Sequence, residues 1–507
     1  MKIIIVGAGI SGLSTYLALK KHLTDSDSKI SITIFESKPF SPASDSIAFC
    51  PIGLPPNGLR SLAFFSPTAL EHVQSHAFTK GSNVTFRNSY GKTVGNMRFG
   101  SAERYGYETC MLPRVVLHQA LFKDVDQTDI RWGVRVIAVK EVENSNGGVL
   151  VECEDGSTER ADLVIGADGV YSVVKDCLFN KKYQTGLGYV LSLITNTLTY
   201  SRSRRQTGIS GFLPMSCLPP TLRTSLQTEG VTMTFGKDGL FGYANASPLD
   251  LCSKPDTPPS SDEPFIMWWS FFDTDKISDQ NNPDFEQIKA VLLKKHGDWV
   301  SPHDKKQLTD EKSWTQSQSV FRAIIESAFQ PESYSNSIPT KPVLVPRFIS
   351  PRLPALSNAT CTERTSNPSN RGRIVLVGDA AHIMSPDIGQ GASAAIEDSV
   401  VYSLLLKHYL SPQSDAPSIR DFSTAEKMDS LSSSHVSKAL ETTAKAYETI
   451  RGPRVKCLTS TGECDTSMKE MNSFCEWLRD MAIWVLCEIF FFSSSSSDIY
   501  FVISQVP

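Results

Sequence analysis

No C-x-x-C pair and no zinc-ligand spacing occurs among the eleven cysteines of this chain, which argues against a metal site or disulfide framework and for reduced, mostly structural thiols in a cytosolic setting. A dominant basic block is also absent. With a formal net charge of -4 and a pI near 6.2, nucleic acid is a poor partner and a small molecule a better one. No apolar run reaches the roughly 20 residues needed to cross a bilayer. The strongest, 481–492, is short and contains Glu488, so it is expected to be a docking helix, with peripheral membrane contact the disfavoured alternative. The N-terminus lacks the basic, apolar and cleavage regions of a secretory signal. Folding is therefore expected to begin at Met1, and the sequons at Asn83, Asn245 and Asn358 are read as incidental. There is no internal repeat.

What the chain has is length and patterned apolar content. Its 507 residues, 40% of them apolar, suffice for a large core and more than one domain. The opening reads as strand 2–6, a glycine turn at 7–12, a helix to Leu23 and a strand from Ile30 to Glu36, a βαβ-type unit. Trp132 to Val142, Gly148 to Glu154 and Thr158 to Ile165 read as three further strands, the last two joined by an Asp155-Gly156 hairpin turn. From 181 to 346 short β-rich runs such as 231–235 and 265–272 predict a mixed sheet. A buried strand returns at 373–377 and a helix at 391–406. The expected division is 1–180 and 347–422 for one discontinuous α/β domain, 181–346 for a second domain, and 423–507 for a C-terminal helical region and tail. The polar stretch 357–372 is expected to be a mobile surface insertion.

Three motifs bear chemistry. Gly7-Ala-Gly9-Ile-Ser11-Gly12 follows a strand and opens a helix. Its glycines permit a tight turn, backbone approach to a pyrophosphate and close helix packing, while the helix N-terminus supplies unpaired N–H donors. Glu36, at the end of the next strand, is placed to accept ribose hydroxyls. This fits FAD or NAD equally. The second motif, 161–172, exposes Asp168 and Gly169 at a strand's C-terminal edge, where ligands of open α/β sheets bind; a plain polar turn reads equally well. In the third, 378–391, Asp379 is suited to accept a ribityl hydroxyl and Pro386 to form a rigid wall. Gly389, Gly391 and Ala392 begin a helix whose positive end favours an anionic ring. That arrangement suits a flavin ring. His382 is read as a hydrogen-bonded structural histidine.

Together these motifs resemble the single-component FAD-dependent aromatic hydroxylases, the para-hydroxybenzoate hydroxylase-like class, and more closely the fungal FAD-dependent monooxygenases of secondary metabolism. The resemblance extends to Pro56-Asn57-Gly58, Leu112-Pro-Arg114, 235–243 and Arg451-Gly-Pro-Arg454. It implies a Rossmann-like, glutathione reductase-like FAD-binding domain, a mixed-sheet substrate domain and a C-terminal helical region. By position, Arg114 would contact the FAD. Ile383, where the class has proline, and Phe49-Cys50-Pro51-Ile52, where it has a small glycine-rich stretch, are departures.

The resemblance further implies NAD(P)H as co-substrate, molecular oxygen, a flavin C4a-hydroperoxide and insertion of one oxygen atom, by hydroxylation or epoxidation, into a small organic substrate. The substrate pocket is expected along Met233, Phe235, Phe241, Tyr243 and Trp268, with Tyr243 as the catalytic candidate. Arg202, Arg204 and Arg205 read as a solvated loop rather than an anion site. Another FAD oxidoreductase on the same scaffold and a non-catalytic binding protein of this fold are the alternatives. A tryptophan halogenase is disfavoured by the absence of a Trp-x-Trp-x-Ile-Pro motif.

Overall fold

The structure is a computed structural model. It describes residues 1–23, 30–39, 50–77, 79–80, 83–142, 147–180, 186–187, 206–227, 229–237, 239–246, 264–273, 283–305, 319–330, 342–346, 348–349, 353–362, 367–384, 386, 389–411, 433–467, 477, 480–481 and 483–484. The serine-run tail, the arginine cluster at 202–205 and most of the apolar stretch 481–492 lie outside the described residues.

Near-continuous apolar runs predict strands covered on both faces, and five of them form one parallel sheet. Its spatial order is Ile130–Trp132, Ser31–Glu36, Lys2–Val6, Leu163–Gly166, Ile374–Leu376. In chain order this is 3-2-1-4-5, a doubly wound arrangement. The order reverses between Lys2–Val6 and Leu163–Gly166, so a crevice opens off their carboxyl ends. Ile3, Ile4, Ile5, Leu163, Val164 and Ile374 to Val377 are completely buried. Helix Ile10–Leu23 packs on this sheet and against helix Gly391–Leu410, which in turn packs on the long helix Ser433–Ser467.

A second, mixed sheet has seven strands. In order they are Val343–Pro346, Gln206–Pro214, Phe265–Asp273, Gly239–Ala246, Val231–Gly236, Asn83–Asn88 and Thr93–Arg98. Only the pairing of Val231–Gly236 with Asn83–Asn88 is parallel. The sheet therefore recruits two strands from before residue 180, which a division by sequence position assigns elsewhere. Helices Phe285–His296 and Val320–Ala328 cover one face through a separate apolar core, while the other face joins the core of the parallel sheet.

Local differences from expectation have local causes. The stretch 132–142 breaks at Gly133 (φ +72°) into Ile130–Trp132 of the parallel sheet and Val136–Glu141 of a small antiparallel sheet. Likewise 158–165 divides at Asp162, whose carboxylate accepts from the Lys2 backbone N–H, so its two halves serve different sheets. The described parts of the polar stretch 357–372 are not a simple surface loop. Ser357, Asn358 and Asn370 are buried, and the two asparagine side chains bridge it to Glu141, Val142 and Gly148. Polar composition suggested solvent, but those amides satisfy buried backbone groups.

Candidate active site

At the first glycine turn, three glycines have three different surroundings. A side chain at Gly7 (φ +104°) would meet the Ala167 carbonyl oxygen at 2.6 Å, and one at Gly12 would meet the Gly7 carbonyl oxygen at 1.9 Å, whereas at Gly9 nothing lies within 4 Å. Two glycines are thus required by packing and the third leaves open space, as approach to a pyrophosphate demands. The turn is held from outside. Glu36 Oε2 accepts from the Ala8 N–H at 2.7 Å, and the His118 ring lies 2.9 Å from the Ala8 carbonyl oxygen. Helix Ile10–Leu23 begins its internal bonding at Leu13 N–H to Gly9 C=O, so the earlier donors face the crevice.

Ser11 joins this turn to the third motif. Its hydroxyl is buried without a hydrogen-bond partner, and a side chain at Gly378 (φ +59°) would come within 2.3 Å of it. Asp379, next in the chain, is exposed to the crevice although protein surrounds it closely enough for burial to push its carboxyl above the usual range, with Arg114 and His382 opposing that shift. Among the described residues it takes no hydrogen-bond partner. Helix Gly391–Leu410 starts beside it with Gln390 at the cap making no side-chain cap bond, and its first internal bond is Ala394 N–H to Gln390 C=O. Among the described residues the N–H groups of Gly391, Ala392 and Ser393 therefore have no acceptor. Side chains at Gly389 (φ +59°) and Gly391 would meet nothing within 4 Å. Pro386 is exposed on the same loop; Ser385, Asp387 and Ile388 lie outside the described residues.

The strand Pro51–Leu54 lines the crevice opposite this loop. A side chain at Gly53 would sit 3.4 Å from Met111 Sδ and 3.9 Å from the Gly389 carbonyl oxygen. Cys50, just before it, accepts the Arg114 N–H through its carbonyl at 2.9 Å. The Arg114 guanidinium makes no ion pair among the described residues and lies within electrostatic reach of Asp379 and Cys50.

Behind the loop lies a cluster of paired charges that sequence reasoning did not identify. Asp398 Oδ2 accepts from Gly378 N–H at 2.9 Å and His382 Nε2 at 2.6 Å, while its Oδ1 accepts from Arg451 Nε at 2.7 Å. Its carboxyl is held well below the usual range; burial opposes this, but the charges of His382 and Arg451 and the hydrogen bonds win. Adjacent Glu397 accepts from Arg451 Nη1 at 2.6 Å, Arg454 Nε at 2.7 Å and Asn57 Nδ2 at 2.7 Å; Asn57 also donates to Gln390 Oε1 at 3.0 Å. The arginines at i and i+3 share one face of the long helix. This cluster explains His382 and the Pro56-Asn57 and Arg451–Arg454 motifs together: they fix the loop's shape.

Two further candidates have their polar groups already engaged by the protein. Asp168 sits at the strand edge as expected, but its Oδ2 accepts from the N–H groups of Val173 at 2.7 Å and Val174 at 3.2 Å and its Oδ1 from Ser172. Its carboxylate caps helix Val173–Phe179, the polar-turn reading, while neighbouring Gly169 (φ +76°) opens on empty space. Tyr243 does not face the crevice. It is 1% exposed, on the helix-covered face of the seven-stranded sheet, with its hydroxyl 2.7 Å from Glu229 Oε2 and 3.1 Å from Arg87 Nη1. Phe241 and Trp268 share that face. The strands were read correctly, but alternation cannot tell which parity faces the cofactor.

Open glycines, two helix N-termini with free donors and an unpaired carboxylate converging on one crevice fit a dinucleotide with a flat, polar ring system. The comparisons agree. Residues 274–422 match the family model described as FAD binding domain. FAD-dependent monooxygenase ptmM of Penicillium ochrochloron is 24% identical over 422 residues, 82% of this chain and 80% of that protein. FAD-dependent urate hydroxylase of Klebsiella pneumoniae is 23% identical over 407 residues, 80% of this chain and 82% of that protein. The crystal structure of Klebsiella pneumoniae HpxO complexed with FAD and uric acid covers 97% of this chain and 97% of its own, with a TM-score of 0.63 at 18% identity. Over most of its length the chain is thus similar to FAD-dependent monooxygenases, a fungal one among them. Among the described residues no helix is long and apolar enough to cross a membrane.

Proposed function

We propose that this chain is an FAD-dependent monooxygenase that consumes NAD(P)H and inserts one oxygen atom, by hydroxylation or epoxidation, into a small organic substrate in secondary metabolism. The observation that supports this best is the unpaired Asp379 beside the uncapped start of helix Gly391–Leu410, a donor and acceptor set suited to an isoalloxazine ring and its ribityl chain. Bound FAD would supply the redox chemistry, taking electrons from NAD(P)H and activating molecular oxygen.

The chain's own residues would do the rest. Glu36 and the open space at Gly9 receive the adenylate end; Arg114 counters phosphate or ring charge; Asp379 accepts from the ribityl hydroxyls; the N–H groups of Gly391 and Ala392 stabilise negative charge on the ring. The apolar sheet face above the crevice excludes water, which would otherwise divert activated oxygen to hydrogen peroxide. Localisation in the cytosol and free diffusion of NAD(P)H to the crevice belong to the same reading. Purified protein should be yellow, and phenolic polyketides or terpenoids should be screened for stimulated NADPH oxidation with product mass raised by one oxygen. Protein that is colourless and stays so with added FAD refutes the reading.

A further inference from the structure

The sheet face turned toward the crevice defines a substrate chemistry. Residues opposite one another in a sheet share a face. One such row crosses six strands: Phe86, Met233, Gly242, Trp269, Ser210 and Val343. Its position over the crevice follows from Ser210, which lies against the Cys50 thiol, the residue whose carbonyl holds the Arg114 N–H. Trp269 lies across the strand at Gly242, where a side chain would come within 2.2 Å of its ring; only the bare glycine lets the indole lie flat there.

Row by row, among the described side chains, the strands place no charged residue on this face. The one hydroxyl is that of Ser210, which is 3% exposed and has no hydrogen-bond partner beyond the weakly donating thiol. In the next row Asn88 is polar, but its amide is already engaged by the N–H groups of Tyr90 and Lys92 and by Asp480. Among the described side chains, Arg87 and Arg98 of this sheet lie on the opposite face, Arg87 paired with Glu229 and Arg98 with Glu108. A charged or heteroatom-rich ligand seated here would lose water without gaining partners.

Resting on the flavin reading above, we propose that the substrate is an uncharged, largely hydrocarbon molecule with a flat ring that stacks on Trp269 and one hydroxyl or carbonyl group that bonds to Ser210. Uric acid, the ligand of the solved relative, is not of this class. Ser210 and Trp269 are specificity-determining positions.

The test uses FAD-loaded full-length protein and calorimetric titration with naphthalene, 2-naphthol, 2-naphthoate and uric acid. The expected result is that 2-naphthol binds about tenfold or more tighter than 2-naphthoate or uric acid. Ser210→Ala should weaken 2-naphthol about fivefold and leave naphthalene within about twofold, the size of one hydrogen bond. Trp269→Leu should weaken both ring ligands alike, and it preserves the test if Ser210→Ala folds poorly. Equal or tighter binding of 2-naphthoate or uric acid, failure of 2-naphthol to bind, or an unchanged 2-naphthol to naphthalene ratio in Ser210→Ala overturns the proposal. Because heat of binding is read, a protein that selects 2-naphthol but oxygenates nothing refutes only the proposed reaction, and one that oxygenates 2-naphthoate preferentially refutes only the substrate class.

Discussion

Asp379 and Asp398 lie on either side of the same loop and have opposite electrostatics. Asp398 receives Gly378 N–H, His382 and Arg451, and its carboxyl is pushed down despite complete burial. Asp379 receives nothing among the described residues, and its carboxyl is pushed up. A crowded carboxylate without donors is a cost to the fold. The contrast separates a carboxylate that builds the loop from one left waiting for a ligand, and it can be attacked from both sides.

The largest effect is expected at the paired end. Arg451→Met leaves Asp398 and part of Glu397 buried without their main counter-charge, so it should lower stability by about 3–5 kcal/mol, the usual result of removing one partner of a buried pair. Denaturant unfolding of the flavin-free protein measures this. A loss below about 1 kcal/mol would mean that the cluster behaves as a surface ion pair and that the comparison is mistaken.

At the unpaired end the signs reverse. Asp379→Ala should leave the flavin-free protein as stable as the parent or more so, because it removes an unsatisfied charge, yet should weaken FAD by about tenfold or more, the worth of a charge-assisted hydrogen bond. Fluorescence titration with FAD, set beside the unfolding curve, checks both halves. Full flavin occupancy in this variant would remove Asp379 from the site.

Acid titration sharpens the same contrast. Asp398 has a folded pKa below its ordinary 3.8, and Glu229 one lowered from 4.5 to about 2. Both therefore stabilise the fold above their unfolded values, and that contribution is lost as pH falls from there through the folded values. Asp379 works the other way: its raised pKa favours folding only at low pH and penalises it as pH rises through the folded value. The parent should thus lose stability below about pH 4.5, and the advantage of Asp379→Ala over the parent should shrink over the same descent. Thermal melts at several pH values measure this, and an advantage that grew in acid would contradict the sign.

How much of this was legible beforehand depended on the kind of residue. Gly7, Gly12 and Gly378 were readable because each belongs to a strand-turn-helix motif; the clash that requires Gly12 is local, with the Gly7 carbonyl, whereas those at Gly7 and Gly378 come from Ala167 and Ser11, distant in sequence. Asp379 and Glu36 were readable because strand ends place them. Asp398, Glu397, Asn57 and Arg451 were not assigned roles, since their partners are brought together only by packing of helices Gly391–Leu410 and Ser433–Ser467. The adjacent acids and the arginines at i, i+3 were the available signal. The parity of the second sheet was least legible: one strand carries Tyr243 on one face and Gly242 on the other, and apolar residues lie on both faces.

Tyr243 supplies the smallest expected effect on catalysis and tests that parity directly. Its hydroxyl donates to Glu229 Oε2, which also receives Arg87, while His303 Nε2 lies 2.6 Å from Glu229 Oε1, so the tyrosine belongs to a paired cluster of the same kind as Asp398's, on the sheet face away from the crevice. Its phenol is pushed well above the usual range by burial and by the Glu229 charge, which disqualifies it as a base near neutrality. Tyr243→Phe should therefore cost about 1–3 kcal/mol of stability, since Glu229 loses one donor in a buried place. Turnover per bound flavin should stay within about twofold of the parent, which corresponds to well under one tenfold step of barrier. A hundredfold fall in turnover with flavin content unchanged would return Tyr243 to the crevice and reverse the face on which the substrate is placed.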